Sequence, residues 1–171
     1  WTVRSRFPGK PLRGLLAFSL SKLKPRFSGL LFFPAALYKS PMDSTSRKAV
    51  FLDRDGVVNE IVMRDGNLSV PFSGHEFVIL SGVKSAIRLL KEHGFVCVVV
   101  TNQPDVERGN LSADALNAMH IFMKKETGVD AVYFCPHSKD GGCDCKKPAL
   151  GMIRRAAGDL NVDIGNSWMV G

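Results

Sequence analysis

The apolar run Ala49-Val-Phe-Leu52 stops abruptly at Asp53-Arg54-Asp55-Gly56, and that ending constrains the chain more than any other feature. Alternate residues of a strand share a face, so Asp53 and Asp55 project together. In open α/β sheets, ligands bind just outside the carboxyl ends of the strands. Two acids delivered there can divide the labour, one attacking an electrophile and the other moving a proton. Aspartate and glycine are also ordinary turn residues, so the pair gains its meaning from the motifs carried by the rest of the chain.

Apolar periodicity organises the rest of residues 49–171. Val83, Ala86, Ile87 and Leu90 recur at helical spacing ahead of Gly94, predicting a helix over 82–93. The valine-rich run Phe95–Val100 reads as a strand buried on both faces. Ser112 is a suitable N-cap, with Asp114 in the first turn, for a helix that Gly128 ends. Residues 130–134 read as a third strand, 149–159 as a helix and Trp168–Val170 as a fourth strand. Strands alternating with helices predict an α/β fold, a Rossmann-like parallel sheet with helices on both faces. Residues 54–77 show no period and are expected to be irregular, with Arg64, Asp65 and Asn67 near the substrate.

A chain of 171 residues suits one domain with a substantial core. Its net charge of +7 is unevenly spread. Residues 1–48 hold ten Lys/Arg against the single acid Asp43, a balance of +9, leaving −2 on residues 49–171. A nucleic-acid surface would need a basic stripe on the folded domain, so no nucleic-acid partner is expected. No apolar run approaches the ~18–20 residues that cross a bilayer, and none is expected to contact a membrane. Residues 1–48 are expected to be a basic leader outside the domain, disordered or not native to the protein, with a transit peptide as the alternative. The chain opens on Trp1, and Met42 stands just before the first strand.

Two further clusters carry chemistry. Thr101-Asn102-Gln103 follows the strand at 95–100, where a hydroxyl and amides can donate to phosphoryl oxygens. Cys135-Pro-His137 and Cys143-Asp-Cys145 supply three thiolates and an imidazole within eleven residues. That donor set suits a closed tetrahedral zinc site, and with no open position the Zn2+ is expected to be structural. Asp140-Gly141-Gly142 gives the loop freedom to wrap an ion. Lys146 and Lys147 come directly after it, cations that can stabilise a carboxylate and a phosphoryl group. Cys97 lies in an apolar run and reads as a buried hydrophobe. His75, His93 and His120 read as structural or solvated.

The order Asp-Arg-Asp-Gly, Thr-Asn-Gln, Cys-x-His…Cys-x-Cys and Lys-Lys-Pro, covering residues 49–171, resembles the haloacid dehalogenase-like phosphohydrolases. Within them it is most similar to the zinc-containing D-glycero-D-manno-heptose 1,7-bisphosphate 7-phosphatases and to the histidinol-phosphate phosphatases. The resemblance implies an aspartyl-phosphate mechanism, with Asp53 the nucleophile and Asp55 the general acid/base. It implies Mg2+ held by Asp53 and the main chain of Asp55, and phosphoryl stabilisation by Thr101 and Lys147. Asn102, Gln103, Arg108 and Lys146 would contact substrate, a small phosphorylated sugar, in a monomeric cytoplasmic enzyme. A fourth motif, Gly-Asp with a second acid beyond it, would complete the magnesium site; the sequence supplies its glycine at Gly171, and the chain is expected to be a piece of a longer one. Alternatives are a phosphatase for histidinol phosphate or another small ester, a non-catalytic zinc-stabilised binding module, and an end-processing phosphatase acting on nucleic acid.

Overall fold

The computed structural model describes residues 46–138 and 142–171. Most of the basic leader, and Asp140 and Gly141 of the cysteine loop, lie outside the described residues. Strand β1 (Ala49–Leu52) is followed by a ribbon of β2 (Val62–Arg64) and β3 (Asn67–Ser69). Helix α1 (Val83–Glu92), strand β4 (Val96–Asn102), helix α2 (Ala113–Thr127), strand β5 (Ala131–Cys135), helix α3 (Gly151–Leu160) and strand β6 (Trp168–Val170) complete the order. The main sheet runs β5-β4-β1-β6 with every neighbour parallel.

Strand alternation sorts the core into two layers. Val50, Leu52, Cys97 and Val99 point to the side of α1 and α2, meeting Val83, Ile87, Leu116, Met119 and Met123. Their neighbours Ala49, Phe51, Val96, Val98 and Val100 point the other way, onto Met152, Ile153 and Ala156 of α3. Helices therefore cover both faces, as the continuous valine run of β4 requires. Ser112 caps α2 by accepting from the Ala115 backbone N–H at 3.1 Å. Among the described residues no helix is long and apolar enough to cross a membrane.

The structure departs from expectation at the end of β4 and in the segment after β1. β4 continues through Asn102, two residues past the apolar run, because its ladder with β5 extends to Asn102 opposite Cys135. The segment expected to be irregular contains the antiparallel β2–β3 ribbon, with Arg64 opposite Asn67. Its turn is Asp65-Gly66, with φ of 51° and 74°. Positive φ at both central positions matches the right-handed twist of a hairpin, which is why Asp-Gly suits this turn. Arg64 then braces the ribbon. Its Nη2 donates to Glu76 at 3.0 Å, and its guanidinium lies 4.2 Å from the Phe72 ring centroid. Arg64, expected near the substrate, is thus held by Glu76 and Phe72 while its side chain stays partly exposed.

Phe51 sits at the centre of the α3-side layer with no exposed surface. Phe51→Ala is expected to destabilise the fold by about 3–5 kcal/mol, read as a lower denaturant midpoint.

Candidate active site

Parallel register brings the strand ends to one edge. Leu52 pairs with Val99 on one side and Val170 on the other. The next residue, Asp53, continues the ladder by donating its N–H to Val170 O at 2.9 Å. Residue 171 abuts it: a Cβ built on Gly171 would lie 3.4 Å from Asp53 Cβ. The chain then turns at Arg54, whose carbonyl accepts from the N–H groups of Val57, Val58 and Asn59.

Asp53 is one-third exposed, and Lys147 Nζ approaches its Oδ1 to 2.7 Å. The Arg54 backbone N–H also donates to Oδ1, at 2.8 Å. Oδ2 has no hydrogen-bond partner among the described residues. That oxygen suits a hard divalent cation or an electrophile. Asn102 fixes the lysine from behind. Its Oδ1 accepts from Lys147 N at 2.9 Å and its Nδ2 donates to Lys147 O at 3.2 Å. Asn102, expected to touch substrate, is engaged in holding the lysine's main chain.

Asp55 is ringed by donors. Arg54 Nη2 and Nε lie 2.9 and 3.1 Å from Oδ1, Asn59 Nδ2 donates at 3.0 Å and Gln103 Nε2 donates to Oδ2 at 2.7 Å. Gln103, also expected to touch substrate, has no exposed surface, and its amide N–H groups face Asp55 and the Thr101 hydroxyl. Thr101 is likewise buried at the end of β4. Lys146 is half-buried beside Lys147. Arg108 lies exposed on the loop after β4, 3.5 Å from Asp105.

Sequence reasoning gave no role to Arg54 or Asn59, and His120, read as structural or solvated, is buried. Arg54 is completely buried, with Nη1 3.3 Å from His120 Nε2 and its guanidinium 5.6 Å from the Phe77 ring centroid. The signal was present: Leu116, Met119, His120 and Met123 share one helical face, so His120 belongs with the core. Burial, and then the Arg54 charge, push the His120 ring down to about 4.

The four predicted metal ligands converge. Cys135, His137, Cys143 and Cys145 offer one donor atom each, all within 4.8 Å of one another. Cys135 Sγ lies 3.5 Å from Cys143 Sγ and 3.1 Å from Cys145 Sγ, and His137 Nδ1 lies 3.2 Å from Cys145 Sγ. A tetrahedral zinc with bonds of about 2.3 Å sets sulfurs about 3.8 Å apart, so the set fits with a small expansion. Burial, and then the hydrogen bonds its thiol makes to Cys135 and Cys143, push Cys145 up to about 12. Thiols this crowded cannot all ionise without a cation among them. The loop docks on α3 through Gly151, whose N–H donates to Asp144 O at 2.9 Å. A Cβ at Gly151 would fall 2.5 Å from that oxygen, so only glycine permits the approach.

No family model matches the chain. It is 37% identical over 135 residues to D-glycero-beta-D-manno-heptose-1,7-bisphosphate 7-phosphatase of Yersinia pestis, covering 72% of this chain and 69% of that protein. It is 36% identical to the enzyme of the same name from Escherichia coli K12, covering 72% of this chain and 68% of that one. Among solved structures, D,D-heptose 1.7-bisphosphate phosphatase from B. bronchiseptica, complexed with magnesium and phosphate, is 38% identical with a TM-score of 0.59. That match covers 68% of this chain and 65% of the other.

His120 is charged more readily in the unfolded chain, near its ordinary pKa of 6.5, than in the fold, where it lies at about 4. Its stabilising contribution is therefore complete above pH 6.5 and is lost as the pH falls towards 4. Comparing unfolding free energies of the parent and His120→Gln at pH 7 and pH 4 is expected to show a flatter acid dependence in the variant, by up to about 3 kcal/mol.

Proposed function

Since the chain belongs to the haloacid dehalogenase-like D-glycero-D-manno-heptose 1,7-bisphosphate 7-phosphatase family, we propose that it removes the 7-phosphate of that sugar bisphosphate through an aspartyl-phosphate at Asp53. The observation that supports this most is the contact of Lys147 with Asp53 at 2.7 Å, beside an Asp55 held by cationic and amide donors. An attacking carboxylate, a cation for the phosphoryl charge and a second carboxylate for the proton are the groups that phosphomonoester hydrolysis needs.

In the first step an Asp53 carboxylate oxygen attacks phosphorus and the bond to the sugar oxygen breaks. Asp55, carrying a proton, delivers it to that oxygen, and the sugar leaves as an alcohol. Water then attacks the aspartyl-phosphate, Asp55 takes its proton, and inorganic phosphate departs with Asp53 restored. Lys147 holds negative charge near Asp53 in both steps, and Asn102 keeps the lysine's main chain in register with β4. Thr101 and Lys146 would add polarity around the transferred group, and Arg108 on the outer loop would take the sugar's second phosphate. Magnesium bound at the Asp53 carboxylate and the Asp55 main-chain carbonyl would neutralise phosphate charge. The thiolate cluster takes a structural zinc that keeps the Lys146–Lys147 segment against the sheet. The protein would act as a cytoplasmic monomer on a small phosphorylated sugar.

Phosphate release from the heptose bisphosphate is expected to exceed that from histidinol phosphate. Asp53→Asn should abolish release, and Lys147→Met should lower kcat by about 10²–10³. Parental turnover in Asp53→Asn would discard the mechanism. Metal analysis is expected to find one zinc per chain. Removing it with a chelator should lower the Tm, and restored zinc should recover it; an unchanged Tm counts against a structural metal.

A further inference from the structure

We propose that His120 is a positioning residue, which fixes the Asp55 carboxylate through the buried Arg54 guanidinium in the orientation used for proton transfer. The inference rests on the reading of Asp55 as the proton carrier.

A guanidinium has five N–H donors and no acceptor. Arg54, with no exposed surface, directs Nε and Nη2 to Asp55 and Nη1 to His120 Nε2 at 3.3 Å. Because arginine only donates, His120 Nε2 is the acceptor, and the ring is neutral with its proton on Nδ1. A charged ring would set N–H against N–H. The fall of the ring's pKa to about 4, from burial and the Arg54 charge, agrees with that assignment. The Phe77 ring centroid lies 5.6 Å from the guanidinium carbon, and the Phe134 ring sits 5.6 Å from the His120 ring, so each group has one aromatic neighbour.

His120 is itself held by its helix. Ser112 caps α2, and Leu116, Met119 and Met123 seat it on the sheet. The position of Asp55 is therefore set from a helix that is not part of its own strand. Without the imidazole, Arg54 Nη1 would be a buried charged donor with no acceptor, an arrangement that forces rearrangement. Two competing acceptors stand ready. Among the described residues Asn59 Oδ1 and Gln103 Oε1 are buried without a hydrogen-bond partner, on the two amides whose N–H groups already face Asp55. A guanidinium released by His120 would turn to one of these oxygens and draw its fork off Asp55.

The test uses the full chain as the parent, as His120→Leu, which removes the acceptor, and as His120→Gln, which restores one. Solvent exchange of the Arg54 Nε–H, followed by 15N NMR, reads the anchoring without reference to turnover. It is expected to quicken roughly tenfold in His120→Leu and to stay within about threefold of the parent in His120→Gln. Turnover is then compared on an alkyl phosphate, whose leaving oxygen needs a proton, and an aryl phosphate, whose leaving oxygen does not. The alkyl-to-aryl ratio of kcat is expected to fall roughly tenfold in His120→Leu with KM nearly unchanged, and to recover in His120→Gln. Partial unfolding lowers both rates together and leaves the ratio alone. Unchanged exchange overturns the anchoring, and changed exchange with an unchanged ratio overturns the positioning role. If the parent turns over neither ester, the phosphatase reading fails, while the exchange measurement still decides whether His120 holds Arg54.

Discussion

Two carboxylates at the end of one strand repel each other, and the site is organised around giving each a separate counter-charge. Asp53 takes Lys147, a cation from the loop ahead of α3, and Asp55 takes Arg54, the residue between them. The two pairs differ in environment. Lys147 and Asp53 keep partial contact with solvent, while Arg54 has none. An exposed-side pair can exchange its partner for a phosphoryl group at little cost. A buried pair cannot be broken without stranding a charge, so it specifies geometry more than it adds stability.

The thiolate cluster belongs to the same arrangement. Cys145 is two residues from Lys147, and Asn102 holds Lys147 by both its N–H and its carbonyl. The segment is therefore anchored at both ends, by the cluster on one side and by β4 on the other. Gly151 closes the frame, because the loop backbone lies where any side chain at that position would stand. Pinning the backbone on each side reduces the freedom of the lysine to the torsions of its own side chain.

Local pattern made much of this legible. The apolar run ending in two acids placed β1 and the sheet edge where those acids stand, the valine run placed a doubly covered strand, and the spacing of three cysteines and a histidine placed a cluster that the structure assembles. The amides were less legible because their types do not reveal their partners. Asn102 and Gln103 could serve substrate or protein equally, and only the ladder between β4 and β5 decides that Gln103 turns inward. Arg54 was overlooked because charge suggests solvent, whereas its burial depends on an acceptor far along the chain, on α2. The Asp65-Gly66 turn was readable, but the short strands around it carry no core face of their own and so left no period.

That lack of a core face has its own result. An isolated two-stranded ribbon is marginal in water, and Met63 and Leu68, paired across this one, are both largely exposed. What secures β2–β3 is the grip of Arg64 on Glu76 and Phe72. The ribbon is thus a semi-autonomous unit whose local melting leaves the four-stranded sheet intact. The molecule has a soft appendage hinged on one arginine, and its amide protons will trade with the solvent well before those of β1 and β4.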